Sequence, residues 1–361
     1  MKRLIAGTAA ALLAAVLILP VKAAALSAQK AVLMDAATGR ILYEKNADDR
    51  SLIASTTKIM TALVVAEQCN VLDRVRIPKE AVGIEGSSMY LQEGEILTVQ
   101  ELLYGLMLHS GNDAAVALAI YCGGTVEGFA ELMNDKAREL GMHDSHFANP
   151  HGLDAPNHYS TAKDLAILAA YAMQNPIFVM TVSTKSVTVG SRYLRNHNKL
   201  LWRLEGANGI KTGYTKAAGR ILVSGVKRQG RQLLCVTIDA PDDWNDHVHL
   251  LEQGFTHYKM TELIYAGQVL GNVEVLGGVE KQVAVEAAES FLYPMADGEK
   301  VTLELSEAGF VYAPVAEGED AGTAHILIDG NPVGKIGIVY QMTIEQPQET
   351  QKSFLRRIFS R

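Results

Sequence analysis

Apolar positions set the reading frame of the chain. "KAVLMDAATGRILYEKN" (Lys30 to Asn46) holds two apolar runs around a glycine-containing turn and predicts a β-hairpin. "LIASTTKIMTALVVAE" (Leu52 to Glu67) is apolar or small on nearly every side, so it predicts a buried helix from about Ser55. "TVQELLYGLMLHS", "DAAVALAIYC" and the amphipathic "VEGFAELMNDKAREL" repeat apolar residues at helical spacing. "STAKDLAILAAYAM" adds another helix, with Ser160 and Thr161 as its capping residues.

Past about Lys185 the period changes. "KSVTVG", "GIKTG" and "RILVSGVKRQGRQLLCVTID" read as strands, the last a hairpin turning at Arg228 to Gly230. "DDWNDHVHLLEQGFTHY" reads as a closing helix. Strands at both ends with helices between predict an α+β unit: one antiparallel sheet into which a helical region is inserted. From about Gly267, alternating segments such as "GNVEVLGGVEKQVAVEAAES" and "AHILIDGNPVGKIGIVYQMTI" predict a small all-β domain. The expected divisions are residues 26–262, 267–344, and a linker with a short tail over 345–361.

Composition refines the picture at the ends. Lys2 and Arg3, an apolar core from Leu4 to Leu19, and small residues at Ala23 and Ala25 predict a secretory signal peptide over residues 1–25. The net charge is −7, and falls to about −10 without Lys2, Arg3 and Lys22. Nothing in this balance points to nucleic acid. Cys69, Cys122 and Cys235 are too few for a disulfide framework; Cys235 lies in an expected buried strand, and a Cys69–Cys122 bridge stays open. In the tail, Phe354, Leu355, Ile358 and Phe359 fall on one helical face among Lys352, Arg356, Arg357 and Arg361. That pattern predicts peripheral contact with an anionic membrane.

The candidate chemistry begins with a lysine where none is expected. Four S-x-x-K triplets occur: Ser27/Lys30, Ser55/Lys58, Ser160/Lys163 and Ser224/Lys227. Only Ser55 and Lys58 open a buried helix, where i, i+3 spacing puts both on one face. A poorly hydrated ammonium loses its proton readily, and the free amine can take the hydroxyl proton of Ser55. The sole S-x-N, Ser110-Gly111-Asn112, lies between two predicted helices. The sole K-T-G, Lys211-Thr212-Gly213, lies on a predicted strand, where Gly213 would let a ligand backbone approach closely.

This ordered trio resembles the S-x-x-K, S-D-N and K-T-G set of class A β-lactamases and penicillin-binding proteins, departing from it at the middle motif, where Gly111 stands in place of aspartate. With "IASTTKIMTAL", "LLYGLMLHSGNDAAVALA", "FANPHGLDAPNHYSTAKDLA", "GIKTGYTKAAGRILV" and "APDDWNDH", the chain resembles the D-alanyl-D-alanine carboxypeptidases, the low-molecular-mass penicillin-binding proteins. The resemblance is close from Val32 to about Tyr258 and looser over Gly267 to Ile344. It implies a β-lactamase/penicillin-binding-protein-like domain followed by a β-rich one, exported and acting without a cofactor on peptidoglycan stem peptides ending in D-Ala-D-Ala. It implies Ser55 as nucleophile, Lys58 as base and Ser110 as proton relay. Asn112, Lys211, Thr212 and Gly213 would bind substrate, with the backbone N–H groups of Ser55 and Tyr214 as oxyanion hole. β-Lactams would acylate Ser55. A β-lactamase is disfavoured because no E-x-x-x-N occurs between Ser110 and Lys211. The alternatives are an endopeptidase or transpeptidase on the same scaffold, and a non-catalytic wall-binding protein. His143, His146, His151 and His158 crowd one loop, but their spacing fits no helix-based zinc motif, and no metal is expected.

Overall fold

The computed structural model describes residues 26–307 and 309–347. The expected signal peptide and the amphipathic tail lie outside the described residues. Five strands form one antiparallel sheet in the spatial order Ile41–Lys45, Lys30–Asp35, Arg231–Ile238, Gly219–Arg228, Ala207–Thr215. The chain enters the sheet at its start, leaves for the helical region and returns for the last three strands. The insertion expected from the pattern is the arrangement found.

Both faces of this sheet are covered, which explains why its central strands read as unbroken apolar runs. Successive residues point to opposite faces. Val32 and Met34 pack with Leu234, Val236 and the helical region, while Ala31 and Leu33 pack with Leu233, Cys235, Leu250 and Leu251 beneath the closing helix. That helix spans Asp243–His257. Its His247 is fully buried between Ser224 Oγ (2.6 Å) and Thr237 Oγ1 (2.9 Å), so the Ser224/Lys227 triplet serves packing.

Helices Lys58–Gln68, Val99–Leu108, Asn112–Gly123, Val126–Glu139 and Ala162–Ala172 fill the inserted region. Two details differ from expectation. Ser55 is not in the α-helix but in a 3-10 turn, Ala54–Thr57, that precedes it, and Ala54 there has φ of +44°. Thr161 alone caps the Ala162 helix, accepting from the Asp164 N–H, while Ser160 forms a backbone bridge with Ser51. The sequence pattern also passes over the helix Pro176–Ser183, capped by Asn175, and the short hairpin Arg74–Arg76 with Ile96–Thr98.

Beyond the closing helix, a six-stranded sheet encloses its own core of Val273, Val285, Ala324, Ile326, Ile336 and Ile338. Arg40 joins the two parts, pairing with Glu299 and lying over the rings of Tyr258 and Tyr293.

Candidate active site

Three separate parts of the chain meet at Lys58. Its ammonium is 0% exposed, and Nζ donates to Ser55 Oγ at 3.1 Å, Asn112 Oδ1 at 2.7 Å and the His151 carbonyl at 2.5 Å. Burial holds the Lys58 pKa well below the usual lysine range; the charge of Lys211 lowers it further, and Asp113 opposes both. The amine form has two protons and one lone pair. With the two shorter contacts taking both protons, the lone pair is left facing Ser55 Oγ.

Each partner is held in turn. Asn112 opens its helix; its N–H donates to the Ser87 carbonyl at 2.7 Å and its Nδ2 to the Glu85 carbonyl at 2.5 Å. This fixes which amide atom faces Lys58. Asp113 ties down the 85–91 segment, accepting from Met89 N, Leu91 N and Ser88 Oγ. Ser110 sits between two helices with φ of +64° and is 5% exposed.

The His151 carbonyl comes from the 144–160 loop, which docks over the serine turn through Thr61 Oγ1 to Pro150 O (2.6 Å) and the paired backbones of Ser51 and Ser160. Gly152 makes that approach feasible: at φ of +86°, an added Cβ would stand 1.9 Å from the Ala54 carbonyl oxygen. The loop's histidines find separate partners. Ala148 N–H donates to His158 Nδ1, so His158 Nε2–H donates to Thr57 Oγ1 at 2.7 Å. His146 Nδ1 pairs with the Asn157 carbonyl, and His151 Nδ1 accepts from Leu153 N–H. Among the described residues, no three His, Cys, Asp or Glu side chains are grouped to hold a metal.

Lys211, Thr212, Gly213 and Tyr214 lie on Ala207–Thr215, the edge strand of the five-stranded sheet. The backbone that comes close to Gly213 is the serine turn of this chain, not the ligand backbone expected: an added Cβ would be 3.2 Å from Ile53 O and 3.3 Å from both Ser55 N and Thr56 N. That contact sets the Gly213 backbone against the N–H groups of Ser55 and Thr56. Lys211 is 1% exposed, donates to the Thr212 carbonyl at 2.9 Å and is lowered by burial to about 7. An incoming carboxylate would restore its charge. Thr212 is partly buried and Tyr214 is 65% exposed, at the rim.

Two groups that a serine acylation site needs are in contact here, a hydroxyl and a deprotonable amine, with a second buried lysine close enough to act on the first. Comparison with known proteins agrees. The D-alanyl-D-alanine carboxypeptidase family profile matches residues 19–242, and that of the penicillin-binding protein 5 C-terminal domain matches residues 258–346. The chain belongs to the D-alanyl-D-alanine carboxypeptidase family.

It is 34% identical to D-alanyl-D-alanine carboxypeptidase DacF of Bacillus subtilis, over 84% of this chain and 82% of that protein. It is 32% identical to DacC of Escherichia coli, over 90% and 86%. The crystal structure of penicillin-binding protein 5 from Haemophilus influenzae superposes with a TM-score of 0.75 at 30% identity, covering 89% of this chain and 98% of that one. This chain is accordingly a serine-type D-Ala-D-Ala carboxypeptidase. Sequence reasoning missed two of this carboxypeptidase's site groups, the His151 carbonyl and Asp113. Gly152 was the only residue signal for the first, and the second gave none beyond standing next to Asn112.

A further feature lies beside Lys211. His109, Tyr193, Arg195, Asn196, His197 and Trp202 help to line a cavity of about 650 Å³, with Lys199 and Arg203. Arg195 lies over Trp202 and Lys199 over Trp244. No carboxylate lines this cavity. His197 joins this cavity to the site: burial first, then the charges of Lys211 and His109, hold its ring at about 4, so it is uncharged near pH 7.

Proposed function

We propose that this carboxypeptidase removes the terminal D-alanine from peptidoglycan stem pentapeptides through an acyl-enzyme on Ser55, outside the cytoplasm, and that penicillin blocks it at the same atom. Lys58 takes the Ser55 proton as Oγ attacks the penultimate D-alanine carbonyl. The oxyanion faces the N–H groups of Ser55 and Tyr214. As the tetrahedral intermediate collapses, Ser110 relays the proton from Lys58 to the departing D-alanine nitrogen. Water then attacks the ester, Lys58 acts again, and the tetrapeptide leaves. Lys211 and Thr212 bind the terminal carboxylate, and Asn112 braces Lys58 while its remaining amide proton faces the peptide.

The observation that carries this reading is the buried Lys58, with two fixed acceptors and its third contact at the Ser55 hydroxyl. Arg195, Lys199 and Arg203, which line the cavity that His197 joins to Lys211 and form no ion pair among the described residues, support a substrate with a free carboxylate. An endopeptidase or transpeptidase reaction would use the same acylation and differ in leaving group or acceptor; likeness to the Streptomyces K15 DD-transpeptidase, at 36% identity over 64% of this chain, keeps it as the second reading. A non-catalytic wall-binding role gains no support from a site that retains Ser55, Lys58, Ser110, Asn112 and Lys211 together.

The test is pentapeptide incubation with D-alanine release measured, alongside intact-mass analysis after penicillin. The parent should release D-alanine and gain the mass of the drug, and Ser55→Ala should do neither. A Ser55→Ala protein that still gained that mass would overturn the assignment. We further propose the domain divisions at 26–262 and 267–344, a cleaved leader over 1–25, and a membrane-contacting tail. Loss of binding to anionic vesicles on deletion of Lys352 to Arg361 tests the last; equal binding would refute it.

A further inference from the structure

The helices Lys58–Gln68 and Asn112–Gly123 start together at the site, where Lys58 Nζ meets Asn112 Oδ1 at 2.7 Å. They also end together. Cys69 terminates the first, its N–H bonded to the Val65 carbonyl at 3.0 Å, and Cys122 stands in the last turn of the second. The two thiols hydrogen-bond each other. Tyr121 fastens the same ends, donating from its hydroxyl to Asp73 Oδ2 at 2.9 Å. Both thiols are half-buried against the main core, whereas Cys235 is fully buried in the sheet.

We propose that Cys69 and Cys122 are a disulfide site, and that the cross-link clamps the far ends of the helix pair whose near ends hold the catalytic amine. Three features of the surroundings favour the uncharged disulfide over a thiolate. Both sulfurs lie at helix C-termini, where the backbone dipole opposes negative charge. The Asp73 carboxylate adds to that opposition. Half-burial does the same. Between the two, Cys122 donates to Cys69, which lowers Cys69 and raises Cys122, so Cys69 is the attacking sulfur.

The oxidant is a disulfide, small or carried on an oxidoreductase of the exported compartment. The Cys69 thiolate attacks one of its sulfurs and expels the other as a thiolate, leaving a mixed disulfide. Cys122 then gives up its proton and attacks the Cys69 sulfur, expelling the second thiolate. Two thiols of this chain have lost two protons and two electrons, and the oxidant has become two thiols.

The experiment uses the full chain, incubated with oxidised glutathione, then alkylated in denaturant without reductant and mapped by mass spectrometry. One alkylated thiol, Cys235, and a linked Cys69–Cys122 peptide pair are expected, with all three thiols returning after dithiothreitol. Oxidation should raise the melting midpoint by several degrees. The rise should vanish in Cys69→Ser and in Cys122→Ser. Three alkylated thiols, or a lasting glutathione adduct on Cys69 beside a free Cys122, would overturn the site. A cross-link that leaves the midpoint unmoved would overturn the clamp. Penicillin labelling of Ser55 is read separately, so the outcome does not depend on the catalytic proposal.

Discussion

Replacing Lys58 by arginine separates a base from a counter-ion. Both side chains carry a positive charge, but arginine does not release its proton in a protein. The Lys58 pocket is closed to solvent and offers three acceptors, at Ser55, Asn112 and His151. A cation could satisfy all three, so a merely electrostatic role would survive the change. A base role would not. General base catalysis is worth about 10²–10⁴ in rate, or about 3–5 kcal/mol of barrier. Acylation by a chromogenic β-lactam should fall by that factor in Lys58→Arg. The permanent charge beside Lys211 also costs stability, so thermal unfolding must be followed in parallel. Lys58→Met serves as the second variant: it removes the base without burying a charge, and leaves Asn112 Oδ1 and the His151 carbonyl without their donor, at about 1–3 kcal/mol each. Both variants should fold at low temperature and both should acylate slowly. A folded Lys58→Arg protein that acylates within tenfold of the parent would refute the base assignment.

Three further outcomes follow from the geometry. Gly152→Ala must move the Ala54 carbonyl as well as adopt φ of +86°, so it should cost several kcal/mol; an unchanged denaturant midpoint would show that the loop does not press on the serine turn. Lys211→Ala should reduce kcat/KM for a peptide ending in a free carboxylate more than for its amide, since only the acid meets the lysine; equal losses would assign Lys211 to tuning Lys58 instead. For pH, burial holds His247 at about 3 and His158 at about 4 in the folded protein, against 6.5 when free. The unfolded chain therefore binds more protons between pH 6.5 and those values, and stability must fall as pH drops through that window. Each histidine contributes up to about 1.4 kcal/mol per pH unit there. Urea midpoints from pH 7 to pH 4 should show the fall, and His247→Gln should flatten it; a parent midpoint independent of pH would contradict the burial of both rings.

Much of this fold could be read in the chain because its signals are local. The apolar runs of Lys30 to Asp35 and Leu233 to Ile238 are strands, since each must bury both faces. The Asp243–His257 helix was visible as a closing helix. What escaped was set by tertiary contact. Ser55 lies in a 3-10 turn because Gly213 on one side and Gly152 on the other press backbone against it, and no propensity scale registers pressure from residues about 100 and 160 positions away. Ser160 has every local mark of a cap, yet its backbone is drawn into a bridge with Ser51, and Thr161 caps in its place.

The same distinction runs through the site. Ser55, Lys58, Ser110, Asn112 and Lys211 stood out in the sequence because the chemistry proposed for them needs side chains that few residue types supply. The His151 carbonyl was not, because every residue carries one, and only folding decides which of them points at Lys58. Yet that carbonyl and Asn112 Oδ1 are what make the lysine directional. Without them a neutral amine would present either a proton or its lone pair to Ser55. With both protons committed, one at 2.7 Å and one at 2.5 Å, the lone pair is what remains for the serine hydroxyl. The buried lysine beside Ser55 that looked anomalous in an apolar helix thus has two requirements. Burial lowers its pKa, which the sequence implied through its neighbours. Two fixed acceptors aim it, and those depend on a loop that arrives from 93 residues away.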